Sequence, residues 1–233
     1  MVEIDPARVS QLASNLARLK DEIQTVAANA GRDVAELNLI AVTKSFPASD
    51  MVALHQLGVR DFGESKDQEV RKKLPLPVEL DYRIHFIGQL QRNKLKSIIS
   101  YSALLHSVDR SELIESLAQF KNAGLAIPQI MLQVDLADRA NSGRGGAAAD
   151  ALLQLGELAQ SHQLSVVGLM AVAPLGELPA AAFSRFDQIA AGFCEYFPAA
   201  KYRSIGMSGD WQHAIEYGAT HLRIGAALLG NRG

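Results

Sequence analysis

The stretch Leu39-Ile40-Ala41-Val42-Thr43-Lys44 decides how the rest of this sequence is interpreted. Its four apolar residues in succession are typical of a strand that is buried on both faces, as in a parallel sheet. A lysine follows two residues after the apolar run, where the strand ends. The stretch therefore predicts a parallel β-strand that delivers an amine at its carboxyl end.

Short apolar segments of the same kind recur along the chain, and a helical segment follows each of them. The predicted strands are Leu37–Thr43, Val59–Phe62, Arg83–Ile87, Ala103–Ser107, Gln129–Val134, Val166–Ala171, Tyr202–Ser204 and His221–Ile224. The predicted helices are Ser49–Leu57, Asp67–Leu74, Asn93–Ile99, Arg110–Lys121, Ala147–Gln160, Ala180–Tyr196 and Asp210–Tyr217, with a final turn at Ala226–Leu229. Eight such units within 233 residues predict an α/β fold of the (β/α)8 TIM-barrel type. An open doubly wound sheet is the alternative, because the seventh strand is short.

A further helix precedes the first strand. Asp5 is a suitable N-cap, Pro6 suits the first helical position, and Gly31 would end the helix. Between these residues runs one apolar helical stripe, formed by Val9, Leu12, Leu16, Leu19, Ile23 and Val26. No linker, charge block or low-complexity segment divides the chain. We therefore expect a single domain over residues 1–233, with an extra N-terminal helix.

Composition restricts the class of partner. Hydrophobic residues make up 48% of the chain, charged residues 21%, and the net charge is −2. This balance gives no electrostatic reason to expect nucleic acid or an anionic membrane as a partner. The basic residues from Lys66 to Lys73 are interrupted by acidic ones, so this segment is interpreted as a solvated helix face.

Cysteine and histidine usage restricts the chemistry. Cys194 is the only cysteine, which excludes internal disulfides and zinc sites built on several thiolates. No two of the six histidines have the spacing of a helical metal site, so we expect no metal. The sequence shows no basic-then-apolar leader and no apolar run of membrane-spanning length. A cytoplasmic protein is therefore expected.

Two downstream segments predict a phosphate site. In Ser204-Ile205-Gly206-Met207-Ser208-Gly209-Asp210, the glycine at 206 lets the backbone approach an anion, and Ser208 is a suitable cap for the helix that follows. Arg223-Ile224-Gly225 adds a planar cation and another glycine. The loops after strands seven and eight of a barrel commonly form such a site. A plain strand-to-helix loop with a serine cap is the alternative interpretation.

The lysine and the phosphate site together indicate a cofactor. A neutral lysine condenses with an aldehyde, and the partly desolvated mouth of a barrel favours the neutral amine. An aldehyde-reactive lysine with a separate phosphate anchor is what pyridoxal 5'-phosphate (PLP) requires. For Lys44 alone, a solvated surface lysine is the alternative. Near the same strand ends, Glu64 faces the mouth or pairs with a cation, and His85 is interpreted as a hydrogen-bonded interior histidine.

Taken together, these motifs resemble the stand-alone PLP homeostasis proteins, which are single-domain relatives of the alanine racemase N-terminal barrel. The segments that carry the resemblance are Ala41–Lys44, Phe62–Glu64, His85–Gly88, Leu90–Lys94, His106–Asp109, Gly168–Met170, Ser204–Asp210, Arg223–Gly225 and Gly230. The resemblance implies that PLP is bound as a Schiff base by Lys44, with the cofactor-binding set completed by Ser65, Ser107, Met170, Gly206, Met207, Ser208, Arg223 and Gly225. Ser65 departs from the family, which usually has asparagine there; serine reaches less far.

The resemblance also implies a role in intracellular vitamin B6 homeostasis, with little or no turnover and no catalytic residue. A racemase needs a proton donor or acceptor on both faces of the reacting carbon. In two-domain racemases an extra β-domain supplies a tyrosine for one face, and we expect no such domain in a chain that stops at Gly233. The sequence leaves open whether Arg223 contacts the phosphate or the ring nitrogen. Expected partners are PLP and PLP-dependent acceptor enzymes, and the expected state is a monomer or a weak dimer.

Two other functions would use the same residues. A low-activity amino-acid racemase would need both PLP and Lys44. A Schiff-base aldolase for sugar phosphates would use the lysine and the phosphate site without PLP. A third alternative, a barrel that mainly docks on a partner protein, has no support in the surface pattern.

Overall fold

The structure, a computed structural model, describes residues 4–74, 76, 80–137 and 145–230. Eight parallel strands form a closed barrel in chain order. The strands are β1 (Asn38–Val42), β2 (Asp61–Glu64), β3 (Arg83–Phe86), β4 (Ser102–Val108), β5 (Gln129–Gln133), β6 (Val166–Met170), β7 (Tyr202–Met207) and β8 (His221–Ile224). The helices are α1 (Pro6–Asn29), α2 (Ala48–Gln56), α3 (Asp67–Lys73), α4 (Arg92–Ile99), α5 (Ser111–Asn122), α6 (Leu152–Ser161), α7 (Pro179–Tyr196), α8 (Trp211–Glu216) and α9 (Ala226–Leu229), with 3-10 turns at Val34–Glu36 and Ala149–Ala151.

Pairing between the first and last strands confirms the predicted barrel and excludes the open sheet. The pairing of β1 with β8 runs from Asn38 opposite His221 to Ala41 opposite Ile224. Because all eight strands are parallel, their carboxyl ends lie together at one end of the barrel, which we call the carboxyl rim. Residues that directly follow the strands therefore converge at this rim.

The predicted N-terminal helix is present, with both of its predicted ends. Asp5 caps α1 by accepting a hydrogen bond from the amide of Ala7 at 2.9 Å, and Gly31 follows the helix with a φ of +67°. Its buried face packs against α2, α8 and α9, on the outside of the barrel where β1 meets β8. Neither α1 nor any other helix within the described ranges is long and apolar enough to cross a membrane.

Two element boundaries differ from the prediction by three residues or more. β7 runs to Met207 instead of ending at Ser204. The helix predicted from Ala147 begins only at Leu152, because the backbone of Ala147 is paired with the end of the sheet. Its amide donates to the carbonyl oxygen of Gln133 at 2.8 Å, and its carbonyl oxygen accepts from the amide of Asp135 at 2.9 Å.

The apolar core consists of two separate clusters. The main core lies between the sheet and the helices, and its largest fully buried side chains include Phe62, Phe86, Phe183 and Phe186. A smaller cluster contains Leu104, Met131 and Met170. Polar side chains are buried on the strands as well, among them His85, His106, Ser204 and Arg223. The strands therefore enclose a polar group of residues in addition to the apolar core.

Candidate functional site

Lys44 lies at the carboxyl rim, beyond the end of β1. Within that strand, Val42 is paired with Gly63 of β2. On the other side, a Cβ built on Gly225 would lie 3.6 Å from the carbonyl oxygen of Val42. The loop after β8 is therefore a neighbour of the strand end that carries Lys44, and the two segments singled out in the sequence meet.

A buried ion pair holds this strand end. Glu64 is fully buried, and its Oε1 accepts hydrogen bonds from Lys73 Nζ at 2.6 Å and from Thr43 Oγ1 at 2.7 Å. Lys73 Nζ also donates to the carbonyl oxygen of Thr43 at 2.8 Å. Of the two alternatives for Glu64, pairing with a cation is thus the one observed.

The interpretation of α3 as a solvated basic face is wrong for Lys73. Its side chain is only 9% exposed, because it reaches inward to Glu64. The sequence holds a signal for this, since Lys73 follows the buried Val70 by three residues and so shares its face of the helix. The neighbouring charges of the segment mask this signal.

Ser208 joins the loops that follow β7 and β8. Its Oγ accepts hydrogen bonds from the amides of Gly225 at 3.1 Å and Ala227 at 3.4 Å. The prediction that Ser208 caps the next helix, α8, is wrong, because the hydroxyl turns to the loop at the start of α9. Asp210 precedes α8, and its carboxylate accepts from the amide of Met207 at 2.5 Å. Two amides thus converge on one oxygen at the rim, which suits an anion.

Gly206 has a backbone conformation that other residues rarely adopt. Its φ is +90°, and an added Cβ would lie 2.7 Å from the Cβ of Ala214 and 3.1 Å from the Cα of Trp211. Both atoms belong to α8, so a glycine is required where the strand end packs against that helix. The glycine thereby shapes the turn that presents Ser208.

Arg223 is buried inside the barrel with its guanidinium bound to protein acceptors. Nη1 donates to the carbonyl oxygen of Ser204 at 2.5 Å and to its Oγ at 2.6 Å, and Nη2 donates to the carbonyl oxygen of Ala171 at 2.8 Å. Burial lowers the pKa of Arg223 to about 10, against the opposing effect of Asp210. The side chain is therefore still a cation at neutral pH, and both ends of its fork are engaged.

Three other predicted residues are held by protein contacts near the strand ends. Ser107 Oγ donates a hydrogen bond to the carbonyl oxygen of Gly88. A Cβ on Gly88 would lie 2.1 Å from the carbonyl oxygen of Ser65, so the loops after β2 and β3 are in close contact. Met170 is buried in the smaller apolar cluster. Ser65 and Ser107 thus shape the rim, and Met170 packs within the barrel wall.

His85 is a hydrogen-bonded interior histidine, as predicted. Its Nε2 lies 2.7 Å from Asp61 Oδ1, and its Nδ1 lies 2.9 Å from Nε2 of His106. The other nitrogen of His106, Nδ1, lies 2.9 Å from Oγ of Ser204. These contacts connect the histidines to Arg223, a link that is invisible in the sequence because His106 and Ser204 are 98 residues apart. Within the described ranges, no three metal-ligating side chains form a cluster.

Burial and charge set the protonation of this interior. Burial is the main reason that the pKa of His106 lies well below 6.5, and it lowers the pKa of His221 to about 4. Both histidines are therefore neutral at pH 7. Burial raises the pKa of Asp61, but hydrogen bonds from Arg83 and His85 outweigh it and hold that pKa well below 3.8. Asp61 is thus a carboxylate at neutral pH.

A separate cavity of about 840 Å³ opens between α3 and α4, outside the barrel. Of the predicted residues, only Ser65 lines it, and its basic side chains are Lys66, Arg71, Lys72 and Lys94. Lys44, Ser208 and Arg223 do not line this cavity. It is therefore distinct from the arrangement of lysine and rim amides.

Comparison with known proteins places this geometry in a family. The family described as alanine racemase, N-terminal domain, matches residues 14–233. The pyridoxal phosphate homeostasis protein of Pseudomonas aeruginosa is 37% identical over 228 residues, covering 96% of this chain and 97% of the relative. The protein of the same name from Mycobacterium tuberculosis is 34% identical over 247 residues, covering 97% and 95%.

A solved structure is similar to this chain over nearly the full length of both proteins. PipY of Synechococcus elongatus, determined with PLP bound, is 32% identical and superposes with a TM-score of 0.80, covering 94% of this chain and all of the PipY chain. Sequence and fold therefore match over nearly the whole length of each relative. The chain belongs to the family of pyridoxal phosphate homeostasis proteins, within the wider alanine racemase N-terminal domain family.

Proposed function

We propose that this chain binds PLP through a Schiff base on Lys44 and contributes to the intracellular balance of vitamin B6, with little or no turnover. The observation that carries the proposal is the closure of the barrel between β1 and β8, which makes the Lys44 strand end a neighbour of Gly225 and Ser208. The PLP-bound structure of PipY supports the same ligand. Acceptor enzymes as further partners stay a prediction from the family resemblance.

The rim residues fit a phosphate group. The amides of Gly225 and Ala227 already converge on the oxygen of Ser208, and a phosphate oxygen would accept from the same donors. The amide of Met207 is engaged by Asp210 instead. We therefore assign the phosphate to Ser208, Gly225 and Ala227. The last of these was not predicted from the sequence.

The backbone around Lys44 is fixed on both sides. Thr43, which precedes it, is held at its hydroxyl and its carbonyl by Glu64 and Lys73. The amide of Ser45, which follows it, donates to Glu69 Oε2 at 3.1 Å. Fixing both neighbours limits the positions that the Lys44 amine can take, which favours attack on one bound aldehyde.

Arg223 is assigned to the ring nitrogen of PLP rather than to the phosphate. Its two Nη groups are bound to Ser204 and Ala171, so they are not free to grip a phosphate in a bidentate manner. A guanidinium facing the ring nitrogen donates a hydrogen bond and disfavours protonation there. Bound PLP stabilises a carbanion best when that nitrogen is protonated. The assignment therefore supports binding with little turnover.

The positions of the tyrosines also support binding over racemisation. Each of the five begins a strand, directly precedes one or closes a helix, which places its backbone at the end of the barrel opposite the rim; they are Tyr82, Tyr101, Tyr196, Tyr202 and Tyr217. The hydroxyl of Tyr101 donates to Asp67 at 3.2 Å, outside the barrel. A second acid–base group opposite Lys44 is thus not supplied by a tyrosine.

The visible spectrum of the purified protein, with and without added PLP, tests the proposal. The variants are Lys44→Ala and a control, Lys201→Ala, at an exposed lysine between α7 and β7. We expect a Schiff-base band in the wild type and the control, and none in Lys44→Ala. A band of wild-type intensity in Lys44→Ala would contradict the assignment. A colourless protein whose Lys44 is trapped by borohydride only with a sugar phosphate would instead indicate an aldolase.

A further inference from the structure

A hydrogen-bonded chain crosses the interior of the barrel and ends on Arg223. We call it the interior chain, and its members in order are Asp61, His85, His106, Ser204 and Arg223. The four successive contacts measure 2.7, 2.9, 2.9 and 2.6 Å. Each member is at most 4% exposed, so bulk water does not compete for these hydrogen bonds.

The two ends of the interior chain fix its direction. A guanidinium only donates hydrogen bonds, and an ionised carboxylate only accepts them. Ser204 Oγ therefore accepts from Arg223 and gives its own proton to Nδ1 of His106. Because His106 is neutral, its single proton is on Nε2 and is donated to His85. His85 in turn donates from Nε2 to Asp61, so each of the four contacts joins one donor to one acceptor.

The opposite direction leaves one donor unsatisfied. It would require protons on both nitrogens of His85, and His106 would then donate to Ser204. Ser204 Oγ would accept from both of its neighbours, and its own proton would have no acceptor within the chain. A buried donor without an acceptor is destabilising, so the direction from Arg223 to Asp61 is preferred.

Asp61 anchors the chain at the amino end of the barrel. Its carboxylate accepts two hydrogen bonds from Arg83, one from Nε and one from Nη2, both at 2.7 Å. The carboxylate is therefore held in place by an ion pair outside the interior chain. At the other end, the guanidinium of Arg223 is held by Ser204 and Ala171 together.

We propose that Ser204 and His106 are positioning residues that orient the Arg223 guanidinium toward the ring nitrogen of bound PLP. This inference rests on the proposed function, in which Arg223 faces that nitrogen. His106 fixes the hydroxyl proton of Ser204, so the oxygen presents a lone pair to Nη1 of Arg223. Because both Nη groups are held, the N–H bond of Nε points in one fixed direction. It makes no hydrogen bond to a described residue and is the donor assigned to the ring.

The first test needs no PLP. Side-chain ¹⁵N–¹H spectra of the protein alone should show His106 as the neutral form protonated on Nε2. A proton on Nδ1 of His106 would overturn the direction of the interior chain and, with it, the proposal. His221 provides the reference resonance, since its ring centroid lies 6.1 Å from that of His106 while its Nδ1 contacts Thr220 at 2.8 Å instead of the chain.

The second test compares PLP-loaded variants. Ser204→Ala removes the hydroxyl acceptor of Arg223 Nη1 while the backbone acceptors of residues 204 and 171 remain. His106→Leu removes the acceptor of the Ser204 hydroxyl. In both, we expect PLP to dissociate roughly 3- to 10-fold faster, as for the loss of one hydrogen bond. The resonance of ¹⁵N-labelled ring nitrogen should also move toward its protonated position. Ser204→Thr and His106→Asn keep the acceptors and should behave as the wild type, as should the control His221→Leu.

The outcomes separate the two proposals. Wild-type dissociation and an unchanged ring resonance in folded Ser204→Ala would overturn the positioning role. Equal effects in the control His221→Leu would also overturn it, because they would reflect general packing. If His106→Leu does not fold, Ser204→Ala with its Thr counterpart decides the question. A wild-type protein that retains no PLP would overturn the proposed function, while the tautomer of His106 would still decide the direction of the interior chain.

Discussion

At the scale of single residues, Arg223 belongs both to the fold and to the ligand site. From the sequence alone, Arg223→Gln is expected to weaken PLP retention more than it alters the fold. The structure adds a cost to stability, because the carbonyl oxygens of Ser204 and Ala171 would lose their donors. We predict that Arg223→Gln lowers the free energy of unfolding by about 1–3 kcal/mol in the absence of PLP. Urea denaturation measures this, and wild-type stability would show that these buried contacts contribute little.

Ser208 is the residue that tests the phosphate assignment. Ser208→Ala removes the hydroxyl that faces the amides of Gly225 and Ala227. A hydrogen bond to a charged group is worth about 1.5–3 kcal/mol, so the Kd for PLP should rise roughly 10- to 100-fold. Absorbance titration measures this affinity. Ser161→Ala is the control, since that hydroxyl donates to the carbonyl oxygen of Leu158 on the exposed side of α6. Equal affinity in both variants would refute the assignment.

At the scale of elements, the Glu64–Lys73 pair ties α3 to the ends of β1 and β2. Lys73→Met would leave the Glu64 carboxylate buried without its cation, and removing one partner of a buried pair costs about 3–5 kcal/mol. We predict a loss of this size in the free energy of unfolding for Lys73→Met. The exposed neighbour Lys72 supplies the control, and Lys72→Met should change the stability little.

A double variant separates the ion pair from general packing. Adding Glu64→Gln to Lys73→Met removes the unpaired charge and should recover part of the lost stability. The carboxylate also has an oxygen, Oε2, without a hydrogen-bond partner among the described residues, so the amide oxygen can keep the contact to Thr43 without breaking another hydrogen bond. The buried NH2 group then has no acceptor, so the recovery is only partial. A double variant whose stability is the sum of two losses would contradict this coupling.

The elements also show how much of the molecule the sequence predicts. Strand positions were recovered to within a few residues, because buried parallel strands and amphipathic helices leave different apolar periods. The start of α6 was missed since Ala147 is paired with Gln133, a contact of the sheet rather than of the helix. The contacts of Lys73 and Ser208 differ from the prediction for the same reason. Their partners lie on other elements that only the closed barrel brings close, and a local sequence pattern does not show this.

At the scale of the whole molecule, the buried histidines make stability depend on pH. The folded pKa values of His106 and His221 lie below the ordinary 6.5, the latter at about 4. The unfolded chain therefore binds protons more readily as the pH falls below 6.5, and stability declines toward pH 4, by up to about 1.4 kcal/mol per pH unit for each histidine. The contribution of Asp61 is present above its unfolded pKa of 3.8 and is lost only at lower pH.

Urea denaturation between pH 7 and 4 measures this dependence. His221→Asn removes one titrating group and should give a shallower decline than the wild type. His213→Asn, at an exposed histidine of α8, is the matched control and should keep the wild-type slope. Identical slopes in all three proteins would contradict the assignment of neutral, buried histidines.

The central claim joins the first and last strands at the carboxyl rim: an amine beyond β1 and an anion site after β7 and β8 hold one PLP molecule between them. Borohydride reduction of the PLP-loaded protein, followed by peptide mapping by mass spectrometry, tests this claim most directly. The predicted result is a single pyridoxyl group on Lys44, at reduced occupancy in Ser208→Ala and absent from Lys44→Ala. A pyridoxyl group on another lysine in the wild type, or full labelling of Lys44→Ala, would contradict the claim.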